Sequence, residues 1–299
     1  MKEKALDILH FLKNFNSDQL YWYYEFGKSK RKISVDELKK NLHMIDKPVF
    51  FLSTGRTGTQ WFARLFSSAQ GLKAYHAPQP DLAAQNCFAY KIQKQGLFKK
   101  EESQEILSHI FLAGREQYLR YSYKCLRRYV ETNNHITFFA NTIADLLPQA
   151  KFIHIHRHPG DFVSSGLKRK WFLNGRSDNR QILPVDHSFD PTWSSFNTVQ
   201  KISWLWNETN SFIETFKNTI PDKRIHTLDF SSMDIDSLHE LIAFTEVEVS
   251  EKRLKSQITR KVNVQRFSQA ERYNNWPEKD KEDLAKICNP LATKYGYLL

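Results

Sequence analysis

The sequence predicts an α/β fold in which a central parallel sheet of the doubly wound type is covered by helices on both faces. Three observations carry this expectation. Short apolar runs alternate along the chain with stretches of helical periodicity. Val49-Phe50-Phe51-Leu52 is wholly apolar, as a strand buried on both faces must be. It runs through a small-residue loop, Ser53 to Thr59, into Trp61, Phe62, Leu65 and Phe66 at helical spacing. Lys151 to Arg157 repeats the arrangement, with a break at His158-Pro159-Gly160-Asp161 and a helical stretch behind it.

The composition agrees with a globular chain. The 299 residues are 40% hydrophobic and 26% charged, and the 14% aromatic content can build a core. Gly and Pro number 10 each, which excludes collagen-like and low-complexity chains. Length allows one large domain or two small ones. The three cysteines, Cys87, Cys125 and Cys288, are odd in number and fit no metal pair, so small buried hydrophobes in a reducing compartment are expected. No apolar run approaches the roughly 18 residues of a membrane span, and Met1 to Phe26 lacks the apolar stretch of a signal peptide. A cytoplasmic location follows as an expectation. The net charge of +11 calls for an anionic partner, either nucleic acid or a phosphorylated or sulfated ligand.

Taken in order, residues 6–26 read as a helix broken near Asn16-Ser17-Asp18, with Leu6, Leu9, Leu12 and Phe15 near one face. Tyr21 to Tyr24 suits contact with a membrane surface, a cover over a substrate, or packing of an aromatic helix on the domain. Residues 28–32 form a basic run. We therefore expect an N-terminal helical extension at 1–45 and an α/β domain at 46–299. A second strand is expected at Leu72–His76, and helices at 101–121 and at Ile136–Leu147, the latter ended by Pro148. After the strand at 151–157 come a helix at 161–171, a long helix at 191–216, a late strand at Arg224–Leu228 and a helix at 277–295 with Gly296 as its stop.

Segment 53–59 carries the most chemistry. A loop that leaves a buried strand and enters a helix presents free backbone N–H groups and the positive end of the helix dipole. Gly55 and Gly58 let the backbone approach an anion. Thr57 and Thr59 add hydroxyl donors, and Arg56 adds a fixed charge with a fork of donors. No Lys follows Gly58, so the loop is not of the G-x-x-x-x-G-K-[ST] type that handles nucleoside triphosphates with Mg²⁺. Farther on, Arg157 stands at a strand end with Ser165 eight residues later, placed so that both reach one anion.

The ordered pair resembles the sulfotransferase family that uses 3′-phosphoadenosine 5′-phosphosulfate (PAPS). The family's first motif, [KR]-[ST]-G-T-[TS]-W, reads here Arg56-Thr57-Gly58-Thr59-Gln60-Trp61. Its second, R-x-P with a Ser eight residues after the Arg, reads Arg157, Pro159 and Ser165. The resemblance covers roughly residues 48–299, and the motifs look nearer the Golgi and bacterial glycan branch. It implies a P-loop-like sulfotransferase fold and transfer of a sulfuryl group from PAPS to a hydroxyl acceptor, a carbohydrate or glycolipid, without a metal. By the same resemblance Arg56 stabilises the leaving bridge oxygen, and Thr57, Gly58, Thr59, Gln60 and Trp61 surround the 5′-phosphate. Gln60 departs from the usual Thr or Ser, but its amide still donates. Arg157 and Ser165 hold the 3′-phosphate. Lys261 and Ser268 resemble part of the late loop that closes over the nucleotide.

The catalytic base departs from the pattern. Where glycan-branch members carry a Glu, this chain has Ala77. His76 stands next to it, and an imidazole suits a base near neutral pH. Asp81 and His135 are the alternatives, with Glu131 and Asn133 near the latter. Lys168-Arg169-Lys170 lines an anionic acceptor site or faces water, and Trp193, Trp204 and Trp206 stack on a sugar or pack in the core. Two other functions stay open: a small-molecule kinase with a divergent phosphate loop, and a non-enzymatic binder of polyanions or membrane surfaces. The second gives no reason for two ordered phosphate motifs, which counts against a nucleic-acid partner.

Overall fold

Val49–Ser53 forms β1, and all five of its residues are buried. The other strands are β2 (Leu72–Tyr75), β3 (Arg128–Glu131), β4 (Lys151–His156) and β5 (Ile225–Asp229). In the computed structural model they form one parallel sheet in the order β2-β3-β1-β4-β5. The structure describes residues 34–96, 98–173, 180–186, 188–258 and 273–299. The expected helix at 6–26, the basic run at 28–32, Lys261 and Ser268 lie outside the described residues.

The apolar run is continuous because β1 faces protein on both sides. Phe50 and Leu52 join one core with Tyr129 and Phe152, whereas Val49 and Phe51 join the other with Val130, Ile153 and Ile155. On the second face lie α2 (Thr59–Phe66), α9 (Ile235–Thr245) and α10 (Glu251–Ile258), which contribute Phe62, Leu65, Leu238, Leu241 and Leu254. The first face is covered by α1 (Val35–Asn41), α3 (Ala83–Gln95), α4 (Lys100–Lys124), α5 (Ala140–Leu146), α8 (Thr198–Lys217) and α11 (Glu278–Lys294). Leu38, Leu42 and Ile45, from the expected extension, are buried in this same core.

Several elements differ from the expectation, each for a local reason. The helix expected at 136–147 begins as a 3₁₀ turn at Asn134–Phe139, where the Asn133 side chain accepts from the His135 N–H, and only then becomes α5. The helix expected at 191–216 is two. The first, α7 (Pro191–Ser195), stops before Asn197, which caps α8 and exchanges hydrogen bonds with Gln200. The helix behind β4, α6 (Pro159–Leu167), is shorter than expected because Lys170 takes a left-handed conformation (φ 58°). β3, α3, α9 and α10 were not anticipated. Of the cysteines, Cys288 is buried as expected, but Cys87 is half-buried and Cys125 is exposed after α4; all three are free thiols.

β3 hides the most costly polar pair. Glu131 and Arg115 of α4 are both fully buried. Arg115 Nη2 donates to Glu131 Oε1 at 2.7 Å and Nε to Oε2 at 2.9 Å. The Tyr129 hydroxyl donates to Oε2 at 2.6 Å, and Asn133 Nδ2 to Oε1 at 3.2 Å. The carboxylate is thus satisfied on both oxygens, the condition for tolerating a charge without water.

A second polar cluster joins β4 to α8 and the C-terminus. His154 Nε2 donates to Asn210 Oδ1 at 3.0 Å, since Asn210 Nδ2 is already donating to the Trp206 carbonyl. The His156 ring stacks on Tyr295, with centroids 4.2 Å apart, and its Nδ1 meets the Tyr297 hydroxyl at 2.8 Å. Burial lowers the pKa of His154 to about 3 and that of His156 to about 4. In the unfolded chain both titrate near the ordinary 6.5. As pH falls below 6.5 the unfolded state therefore takes up protons that the native state refuses. Stability is fully present above that pH and declines below it by up to about 1.4 kcal/mol per pH unit and histidine. Thermal melts at pH 7.5 and 5.0 should show a marked fall in Tm that His156→Gln reduces; an equal fall in both proteins would refute this account.

Candidate functional site

The loop after β1 is built to leave its backbone open. Gly55, Arg56 and Gly58 have φ of 77°, 58° and 75°. Such left-handed residues turn successive N–H groups into a concave nest for an anion. No partner for the N–H groups of Arg56, Thr57 and Gly58 is found among the described residues. Gly58 is also required by space, because a Cβ there would come within 2.2 Å of the Phe230 ring. The loop ends at the N-terminus of α2, whose first turn adds further unpaired donors. Thr57 is fully buried, and its Oγ1 has no hydrogen-bond partner. A buried hydroxyl without a partner is costly, so this one fits a ligand atom.

Three arginines surround this nest. Arg56 Nε donates to Ser165 Oγ at 3.0 Å. Arg157 Nη1 donates to the Arg56 carbonyl at 3.0 Å, and its Nη2 lies 3.3 Å from Asp161 Oδ2. Arg169 Nη1 donates to Ser165 Oγ at 3.1 Å. Burial first, then the charges of Arg169 and Arg157, pull the Arg56 pKa down to about 10, so it stays charged at neutral pH. The structure thus brings Arg56, Thr57, Gly58, Thr59, Arg157 and Ser165 together. Trp61 is placed elsewhere: it is buried in the second core, and its Nε1 donates to the Gln257 carbonyl at 3.0 Å. Gln60 has a buried amide oxygen without a partner. Exchanging the two amide atoms would turn that position into a donor.

Beside the loop opens a cavity of about 370 Å³. Arg56 and Arg169 reach it from one side, and His76, His135 and Trp171 also line its wall. His135 follows Asn134, whose side chain packs against Gly55, 3.1 Å from where a Cβ would stand. Its Nδ1 lies 3.9 Å from Asp81 Oδ2. Asp81 is otherwise engaged: its carboxylate accepts from the Ala83 N–H at 3.0 Å and pairs with Arg180. His76 Nδ1 lies 3.3 Å from Thr132 Oγ1, and partial burial lowers its pKa below 6.5. The sequence reading missed Arg180, Gln181 and Asn86 on the same wall, because no local pattern marks them; only the fold brings them to the loop. Trp193 and Trp206 are core residues. No group of metal-ligating side chains occurs among the described residues, and none of the described helices is long and apolar enough to cross a membrane.

A family model described as "Sulfotransferase family" matches residues 48–251. The chain belongs to the sulfotransferase family. Solved sulfotransferases share the P-loop-like fold. The sulfotransferase domain from the curacin biosynthetic pathway superposes with a TM-score of 0.50 at 15% identity, covering 85% of this chain and 99% of that one. Sulfotransferase STF9 from Mycobacterium avium gives 0.50 at 12% identity, covering 87% and 80%. A search of curated protein sequences gives no match. The matched region runs from β1 to the start of α10, so it contains the loop, Arg157, Ser165 and the cavity wall.

Proposed function

We propose that this sulfotransferase moves a sulfuryl group from PAPS to a hydroxyl of a carbohydrate or glycolipid acceptor. The observation that carries this reading is the open nest at Gly55–Gly58, ringed by three arginines and holding the partnerless Thr57 hydroxyl. The 5′-phosphosulfate fits that nest, with Gly58, Thr59 and Gln60 at the start of α2. Arg157 and Ser165 serve the 3′-phosphate. Trp171 on the cavity wall offers an apolar face for a sugar ring. Three free thiols agree with a reducing compartment.

In the transfer the acceptor oxygen attacks sulfur as the bond from sulfur to the bridging oxygen breaks. That bond's electron pair stays on the bridging oxygen, where Arg56 meets the growing charge. The acceptor proton passes to a histidine, and the products are the O-sulfate and adenosine 3′,5′-bisphosphate. Of the two cavity histidines, His135 is the base in this reading. Its segment follows β3, next to β1, and touches Gly55, whereas His76 follows β2 at the sheet edge. His135→Ala should lower kcat by about 10²–10⁴-fold. A larger loss with His76→Ala would transfer the role to the residue that the sequence favours.

Calorimetric titration with adenosine 3′,5′-bisphosphate, in the absence of metal, tests the donor. Binding is expected, and Arg157→Ala should weaken it by at least about tenfold through loss of a charge-assisted hydrogen bond. Binding of ATP with Mg²⁺ but not of the bisphosphate would instead support a kinase.

A further inference from the structure

The turn after α6 carries a cation that the reading above leaves without a task. Arg169 sits two residues past Leu167, and its backbone is fixed on both sides. Its own N–H bonds the Gly166 carbonyl at 2.9 Å, and Lys170 behind it is left-handed. Trp171 then packs on Gly166, where a Cβ would meet its ring at 2.7 Å. The side chain of Arg169 is therefore aimed by a rigid corner. Its Nη1 donates to the Ser165 carbonyl at 3.2 Å, which is ordinary satisfaction of a helix end.

Helix capping does not account for the rest of its surroundings. The same Nη1 reaches Ser165 Oγ, the atom that also accepts from Arg56. Two guanidinium groups thus converge on one hydroxyl. Among the described residues neither has a carboxylate within ion-pair distance, whereas Arg157 has Asp161. Arg56 and Arg169 both reach the cavity from which an acceptor would approach. Like charges held this close without a counterion repel each other, and an anion placed between them removes the repulsion.

Resting on the sulfotransferase reading, we propose that Arg169 is a second clamp on the transferring group. It donates to the non-bridging sulfuryl oxygens while Arg56 serves the bridging oxygen, and the Ser165 hydroxyl, whose own proton is left for the 3′-phosphate, accepts from both guanidinium groups and fixes them side by side. Arg169 is then a sulfuryl-specific residue. It acts on the group that distinguishes PAPS from the bisphosphate product.

The test compares affinity for PAPS and for adenosine 3′,5′-bisphosphate, measured by calorimetry without acceptor in the wild type, Arg169→Ala and Arg169→Lys. The alanine variant should keep bisphosphate affinity within about threefold and lose at least about tenfold for PAPS, as expected for one charge-assisted bond. The lysine variant should fall between, because it keeps the charge and loses the planar fork. Unchanged PAPS affinity in Arg169→Ala, or an equal loss for both ligands, would overturn the clamp. The equal loss would mark a structural or nucleotide-holding role. Failure of the wild type to bind either ligand would overturn the donor assignment itself, and is recognised because it needs no substitution.

Discussion

Arg56→Ala should lower kcat by about 10²–10³-fold at saturating PAPS, the effect of removing one preorganised group that meets developing charge. The guanidinium is half-buried, tied to Ser165, and surrounded by loop donors. In the proposed transfer little reorganisation would be needed as charge builds on the bridging oxygen. Arg56→Lys should recover part of the rate, since a point charge remains but the fork does not. The measurement is steady-state bisphosphate formation, alongside titration with the bisphosphate. A loss confined to KM would mean that Arg56 only binds the donor, and would remove it from the transfer step.

Arg115→Met should produce the largest loss of stability, about 3–5 kcal/mol, because it leaves the Glu131 carboxylate buried without its counterion. Only the Tyr129 hydroxyl and Asn133 amide would remain to it. The same change releases the segment before Asp81, whose Pro80 carbonyl accepts from Arg115 Nη1 at 2.7 Å. Urea unfolding gives the value. The double variant Arg115→Met with Glu131→Leu should be markedly more stable than the single one, because no charge is then stranded. If the two unfold alike, the cost lies in packing and the ion pair is not its cause.

Much of the candidate site was legible in the residues. β1 and its loop declare themselves because a strand buried on both faces must be apolar throughout, and because an anion nest needs glycine or a left-handed residue at fixed places. Arg157 and Ser165 were legible through their spacing across the start of a helix. β3 was not legible, since Arg128-Tyr129-Val130-Glu131 is short and half charged, and its charge is tolerated only by an arginine on α4. Trp61 looked like part of the loop motif, yet from the first turn of α2 its side chain bonds to the Gln257 carbonyl of α10, a helix nearly two hundred residues later.

What a local pattern encodes is backbone geometry and burial: the strand that carries the loop, the helix that ends it, the phosphate-compatible glycines and the cation beside them. These follow from sterics and hydrophobic periodicity within a few residues. What the tertiary structure decided is which distant side chains share one cavity. His76, His135, Arg169 and Trp171 come from the segments after β2, β3 and β4. The loops with His76 and His135 meet because parallel strands deliver their following loops to the same end of the sheet, whereas Arg169 and Trp171 are brought in by the turn at the far end of α6; that convergence is a property of strand order and crossover, to which no single stretch of chain gives access.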